Sequence, residues 1–153
     1  MEQQREGRRV ILVGVDGSDE STSALVWAID RARELNGEVV AVHAVETPFL
    51  AYYSLEAGAP GQLDERLREG IQRAFEDEWC GPLKESGVPH RMLLINGRAA
   101  SVIADVAEQL HAALVVVGRR GRGGVSRLLL GSVSNELAHS CPVPVVVLPA
   151  QNR

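Results

Sequence analysis

Short apolar runs alternate with longer amphipathic stretches along the whole chain. That pattern yields an α/β fold, a parallel sheet covered by helices on both faces. Val10-Ile11-Leu12-Val13-Gly14-Val15 predicts the first strand, ended by Asp16-Gly17-Ser18. The segment after it carries Ala24, Leu25, Ala28, Ile29, Ala32 and Leu35 at helical spacing, and Asn36-Gly37 stops that helix. Val39-Val40-Ala41-Val42 predicts the second strand. After a long connection, Leu63, Leu67, Ile71, Phe75 and Trp79 recur at steps of four, a second helix that Gly81-Pro82 should break or kink. Arg91 to Ile95 predicts the third strand, Asn96-Gly97 a turn, and Val102, Ile103, Val106, Ala107 and Leu110 the inward face of the next helix. Ala113-Leu114-Val115-Val116-Val117 shows no alternation, which implies burial on both faces and a place at the middle of the sheet. A helix starts near Ser132, and Val145-Val146-Val147-Leu148 predicts the fifth strand. Pro144 and Pro149 bracket that strand and cannot donate to a ladder, so it belongs at an edge. An apolar edge invites pairing with a second copy of the chain.

Composition narrows the class. The chain has 153 residues, 45% apolar and 24% charged, with a formal charge of −4, the profile of one soluble globular domain. A chain of this size buries roughly 68 to 70% of its unfolded surface and needs no disulfide or structural metal. Its apolar runs, such as Ala113 to Val117 and Val143 to Leu148, fall far short of the roughly 20 residues of a membrane span. Residues 1–8 are expected to form a disordered tail and residues 9–150 a single domain. The polar start, with no apolar signal core behind it, gives a cytoplasmic expectation. Cys80 and Cys141 lack CxxC spacing and are expected to be unpaired thiols. His43, His90, His111 and His139 never approach metal-ligand spacing, so no protein-made metal site is expected. The connection from Glu46 to Gln62 holds Phe49, Tyr52 and Tyr53. It suits either a lid or contact surface, or a loop packed on the helix beneath it.

The most informative segment runs from Gly118 to Ser132 and contains five glycines and four arginines. No acidic residue falls between Glu108 and Glu136, so the stretch carries +4 in a chain whose total is −4. A local anion site follows. Gly121 and Gly131 let backbone N–H groups approach a ligand, and Ser132 adds a hydroxyl at a helix N-terminus, where the dipole favours negative charge. Together these suit a polyphosphate. Taken singly, Ser132 reads first as an N-cap, the glycines as turn formers, and Asp16 as a turn former or N-cap after a strand. A cap and a turn do not require four arginines or the exclusion of acids. The Arg-Gly-rich piece also suggests RNA, but an isoelectric point near 5.6 and its single copy argue against nucleic acid. There is no GxxxxGK[ST] motif, and Gly14-Val15-Asp16-Gly17-Ser18 lacks GxGxxG spacing, which removes the ordinary phosphate-loop and dinucleotide readings.

Gly118-x2-Gly121-x9-Gly131-Ser132, with Val13-Gly14-Val15-Asp16-Gly17-Ser18 in front and Pro142-Val143-Pro144-Val145-Val146-Val147 behind, resembles the universal stress protein (UspA) family in its ATP-binding subclass. The resemblance covers the chain from about Arg9 to Pro149. It implies a Rossmann-like, adenine nucleotide alpha hydrolase-like sheet of five parallel strands in order 3-2-1-4-5. It implies a homodimer through the last strand, Val143 to Leu148, and ATP held with Mg²⁺ between strands one and four. Carried over by position, Asp16 meets the ribose and nearby phosphates, and Val42 offers backbone groups to the adenine. Gly118, Gly121, Gly131, Ser132 and Val133 wrap the phosphates, and Val15, Arg120 and Ser134 complete the nucleotide-binding set. The chain departs from many relatives at Ala113-Leu114, where they carry an acid, and at Arg119, where they carry a small hydroxyl residue.

The function these residues imply is a stress-response regulator that binds ATP as a homodimer. No carboxylate or His is tied by motif to a water-activating position, so no catalytic residue is assigned. Two alternatives stay open. One is a slow ATP hydrolase or phosphotransferase with Asp16 holding Mg²⁺ or water; the other keeps the fold and binds cyclic AMP, AMP or a flavin nucleotide.

Overall fold

The computed structural model describes residues 7–46, 62–121 and 130–150. The expectations for residues 1–6 of the tail, for Phe49, Tyr52 and Tyr53, and for Arg122 and Arg127 lie outside the described residues. The elements run β1 (Val10–Gly14), α1 (Asp19–Leu35), β2 (Glu38–Val45), α2 (Gln62–Arg73) with a π-helical turn (Ala74–Trp79), α3 (Gly81–Glu85), β3 (His90–Asn96), α4 (Ala99–Gln109), β4 (Leu114–Gly118), α5 (Ser132–Ser140) and β5 (Val145–Leu148). All strand pairs are parallel, in order β3-β2-β1-β4-β5.

Both faces of this sheet are apolar because helices cover both. Ile11, Val13, Val39, Ala41 and Val116 pack with α1, the π turn and α3 on one face. Val10, Leu12, Val40, Val42, Val115 and Val117 pack with α4 and α5 on the other. The period-2 alternation therefore distributes residues between two cores, not between core and water. The centre of the sheet is β1, not β4 as the sequence suggested; β4 lies between β1 and β5 and is buried on both faces all the same. A fully apolar run reports burial on both faces, which any interior strand shares.

The helix ends differ from expectation in one detail. Asn36 adopts the left-handed conformation that closes α1, with φ 50° and ψ 41°. Gly37 is needed for space instead, since a Cβ there would sit 2.5 Å from the Arg9 carbonyl oxygen, which accepts the Glu38 N–H at 3.0 Å.

The step of four seen in the sequence also has a structural answer. A 3.6-residue turn lags behind an apolar repeat of four, so the stripe drifts around the helix. The π turn from Ala74 to Trp79 holds more residues per turn and returns Phe75 and Trp79 to the core face. The break at Gly81-Pro82 is present: Pro82 sits at the first positions of α3, where its missing N–H costs nothing.

Burial separates the two thiols. Cys80 is fully buried and Cys141 partly so, and both are free. Burial pushes the Cys80 thiol up to about 12; the Lys84 charge pulls against that rise and Glu76 adds to it. Only a thiolate reacts, so a thiol reagent at pH 8 should modify Cys141 in the native protein and Cys80 only after unfolding. The same shift gives a pH dependence. Below about pH 9 the thiol is protonated folded or unfolded; between about 9 and 12 only the unfolded chain releases the proton, so stability should fall through that window. Labelling stoichiometry and denaturant unfolding of wild type beside Cys80→Ser check both; equal reactivity of the two native thiols contradicts the buried position.

Candidate functional site

The strand order places β2 and β4 on opposite sides of β1, so the connections leaving β1 and β4 diverge above their carboxyl ends. A crevice of about 380 Å³ opens there. Val15, Asp16, Val42, Gly118, Arg120, Gly121, Gly131, Ser132, Val133 and Ser134 all line it. The sequence reading had not singled out Ser21, His43 or Ala99, which line it too.

Asp16 follows β1 directly. Its Oδ1 accepts the Ser18 N–H at 2.9 Å and the Ser18 hydroxyl at 2.6 Å. Ser18 is the N-cap of α1, and its Oγ accepts the Ser21 N–H at 3.2 Å. The turn-forming reading of Asp16 therefore holds for one oxygen. The other, Oδ2, lies toward Gly121 across the crevice, 2.5 Å from where a Cβ on that glycine would stand. One carboxylate thus starts α1 and faces the glycine loop.

The described residues on either side of the 122–129 segment are joined through the backbone of Arg119. The Arg119 N–H donates to the Leu148 carbonyl at 2.7 Å, and the Arg119 carbonyl accepts the Gly131 N–H at 2.7 Å and the Ser134 hydroxyl at 2.8 Å. Ser134 is buried, and this bond makes it a clamp between the loop and α5. Gly118 is small for a packing reason: a Cβ would lie 2.6 Å from Glu20 Cβ and 2.8 Å from the Glu20 carbonyl carbon. The N-cap of α5 is Gly131, with no side-chain cap bond, so Ser132 is not the cap that the sequence allowed. Ser132 is the first helical residue and is exposed at the crevice.

Three helices contribute first-turn residues to the wall: Ser21 from α1, Ala99 from α4, and Ser132, Val133 and Ser134 from α5. The first N–H groups of a helix have no acceptor within it, and the dipole makes that end positive. Three helix starts thus border one cavity; at α1 the Ser21 N–H is already taken by Ser18, while the start of α5 has no side-chain cap. Val15, Val42, Ile103 and Val117 supply an apolar wall beside them, a pairing of apolar surface with polar groups of the kind that small-molecule sites use.

Val42 contributes through its side chain and backbone. Its carbonyl accepts the Val15 N–H at 2.9 Å, so any ligand donor would use the oxygen's second lone pair. His43 supports the same floor: its Nδ1 lies 2.7 Å from the Val15 carbonyl. A carbonyl only accepts, so Nδ1 carries the proton. The imidazole stands edge-on to Trp79, centroids 5.0 Å apart, and 5.9 Å from Phe75. Periodicity marked both aromatics as core, but nothing in sequence spacing joined them to His43. Among the described residues, no group of three or more His, Cys, Asp or Glu could hold a metal ion, and no helix is long and apolar enough to cross a membrane.

The model of the universal stress protein family matches residues 7–149. The chain is 38% identical over 143 residues to universal stress protein Rv2005c of Mycobacterium tuberculosis, covering 90% of this chain and 44% of that protein. It is 35% identical over 149 residues to universal stress protein MJ0531 of Methanocaldococcus jannaschii, covering 91% and 82% respectively. The chain therefore spans under half the length of the mycobacterial relative. Among solved structures, hypothetical protein MJ0577 shares the fold with a TM-score of 0.79 at 21% identity, over 95% of this chain and 98% of that one. A universal stress protein in complex with cAMP has a TM-score of 0.61 at 24% identity over 94% and 98%. One from Archaeoglobus fulgidus in complex with dAMP has 0.62 at 19% over 92% and 97%.

Because Ser18 both caps α1 and donates to Asp16, Ser18→Ala should cost about 1 kcal/mol, lowering the unfolding midpoint by about 2 to 4 °C. Thermal unfolding by circular dichroism checks this; an unchanged midpoint would remove Ser18 from the start of α1.

Proposed function

The chain belongs to the universal stress protein family, and on that premise we propose that it binds ATP in the crevice between β1 and β4 and acts in the cytoplasm as a nucleotide-dependent regulatory homodimer. The observation that carries this reading is the convergence of three helix N-terminal turns and a glycine-lined backbone beside an apolar wall. The apolar wall of Val15, Val42, Ile103 and Val117 suits the adenine. Asp16 is placed for the ribose. Gly118, Gly121, Gly131, Ser132 and Val133 offer backbone, and Arg120 a guanidinium, to the phosphates; Ser134 acts through the Arg119 carbonyl. The donor set fits Mg²⁺ as a companion of the nucleotide: a cation shared with the phosphates would offset the Asp16 carboxylate, which no described cluster of ligands would hold alone.

A binding role is favoured over rapid hydrolysis by what the two nearby carboxylates do. Asp16 Oδ1 accepts two hydrogen bonds that build the α1 turn, and Glu20 is paired with Arg120. Neither is arranged as a base beside a water. A second reading, a monophosphate ligand, draws on the relatives in complex with cAMP and dAMP. Phosphate number decides between them.

Nucleotide-stripped protein should therefore show a larger thermal shift with Mg-ATP than with AMP, cyclic AMP or FMN at equal concentration, about 5 to 10 °C near 100 times Kd. A larger shift with a monophosphate would replace the ligand and keep the site. Ser132→Asp gives a sharper test than a change at Gly131, where a Cβ already crowds the Arg120 Cα at 3.1 Å. An acid in the first turn of α5 favours the helix but repels phosphate, so the variant should fold at least as stably and bind ATP at least about tenfold more weakly.

For the homodimer, β5 is a sheet edge of four apolar, half-buried residues, whereas the other edge, β3, carries His90, Arg91 and Asn96. Val146→Lys should convert a dimer to monomer in sedimentation velocity. A monomeric wild type would refute this interface.

A further inference from the structure

Arg120 lines the crevice, and its Nη2 donates to Glu20 Oε1 at 3.1 Å across 100 residues of sequence. The two side chains are 20% and 13% exposed, while the pairs along α1 and the Arg98–Glu136 pair between α4 and α5 are far more open. Open pairs are screened and contribute little to geometry; a withdrawn pair is screened much less. Glu20 is itself held in place. It lies in the first turn of α1, just after the Ser18 cap, and Gly118 packs against its backbone with no room for a Cβ. A guanidinium carries its five N–H donors in one rigid plane, so a carboxylate that fixes one of them fixes the direction of all.

From this geometry we propose that Glu20 is a positioning residue: it sets the Arg120 guanidinium against the crevice so that its donors meet the phosphate groups of the ligand. The inference rests on the nucleotide reading and adds the residue that orients its one described cationic side chain on the crevice wall. Glu20 does not line the cavity, and sequence spacing gives no reason to connect it with Arg120. The role is carried by the oxygen acceptor held on α1. It differs from simple charge neutralisation, in which Glu20 would weaken phosphate binding by cancelling the arginine.

The two roles separate by experiment on the full chain, with calorimetric affinities for ATP and for adenosine, which lacks phosphate. Glu20→Ala should weaken ATP binding about fivefold to tenfold, the range expected for a lost hydrogen bond, and leave adenosine within about twofold. Glu20→Gln keeps an acceptor oxygen at the same reach and should return ATP affinity to within about twofold of wild type. If Glu20→Ala unfolds, Glu20→Asp, which withdraws the carboxylate by one methylene, should show the same loss selective for ATP. ATP binding as tight as wild type or tighter in the alanine variant overturns the positioning role. Equal loss of ATP and adenosine overturns it also, making Glu20 a residue of the fold. A wild type that binds neither ligand overturns the nucleotide reading, and this inference falls with it.

Discussion

The structure depends on one constraint: β1 is paired in parallel on both edges, and both of its faces are buried. Parallel neighbours require crossovers, which are right-handed in nearly all such folds. From β1 toward β2 the chain crosses on the face of α1, and α5, the helix between β4 and β5, packs on the opposite face. The connections that leave β1 and β4 therefore part to opposite faces. Between them lies a gap that no side chain of the sheet fills, and the crevice is that gap. Its position follows from topology before any site residue is chosen.

The chemical character of the gap follows from the accounting of backbone groups at its rim. Helix starts leave N–H groups unsatisfied, and a fold must cap them or expose them. The start of α1 is capped by Ser18. The start of α5 is not capped by a side chain: Gly131 holds the N-cap place with its own N–H committed to Arg119. Gly118 packs closely against α1, and the Arg119 carbonyl accepts two bonds from the start of α5, from Gly131 and Ser134. A helix start left without a side-chain cap at a cavity keeps N–H groups and the positive end of its dipole at the rim, the arrangement that the proposed binding of an anion draws on.

The class, the parallel sheet and all five strands were legible in the sequence, since apolar runs of strand length bounded by turn residues carry that information locally. Arg119 was left without a role because the side chain drew attention, while its peptide is what joins the loop to α5 and β5. Gly118 was carried over from the family resemblance as one of the residues wrapping the phosphates, but its smallness serves contact with α1, a reason visible only once α1 and β4 are packed. The link between Glu20 and Arg120 spans 100 residues and has no local signature. The π turn left a trace in the repeat of four, which a 3.6-residue helix cannot follow indefinitely. His43 was weighed only as a metal ligand. Its bond to the Val15 carbonyl depends on register between β1 and β2, and no spacing rule encodes that.

The backbone of Arg119 ties the crevice to the edge of the sheet. Its N–H is bonded to Leu148, the last residue of β5, and its carbonyl to Gly131 and Ser134 at the start of α5. The neighbouring residue, Arg120, lines the crevice. The N–H and the carbonyl belong to the two successive peptide planes that meet at the Arg119 Cα, each rigid about its C–N bond, so the backbone of one residue joins the crevice rim to the sheet edge. A ligand shifts an equilibrium only by binding two states with different affinity. A turn of the 118–119 plane would redirect the bond to Leu148, and a turn of the 119–120 plane would redirect those from Gly131 and Ser134. The carboxyl end of β5, an edge strand, is therefore bonded to the residue that immediately precedes one on the crevice wall.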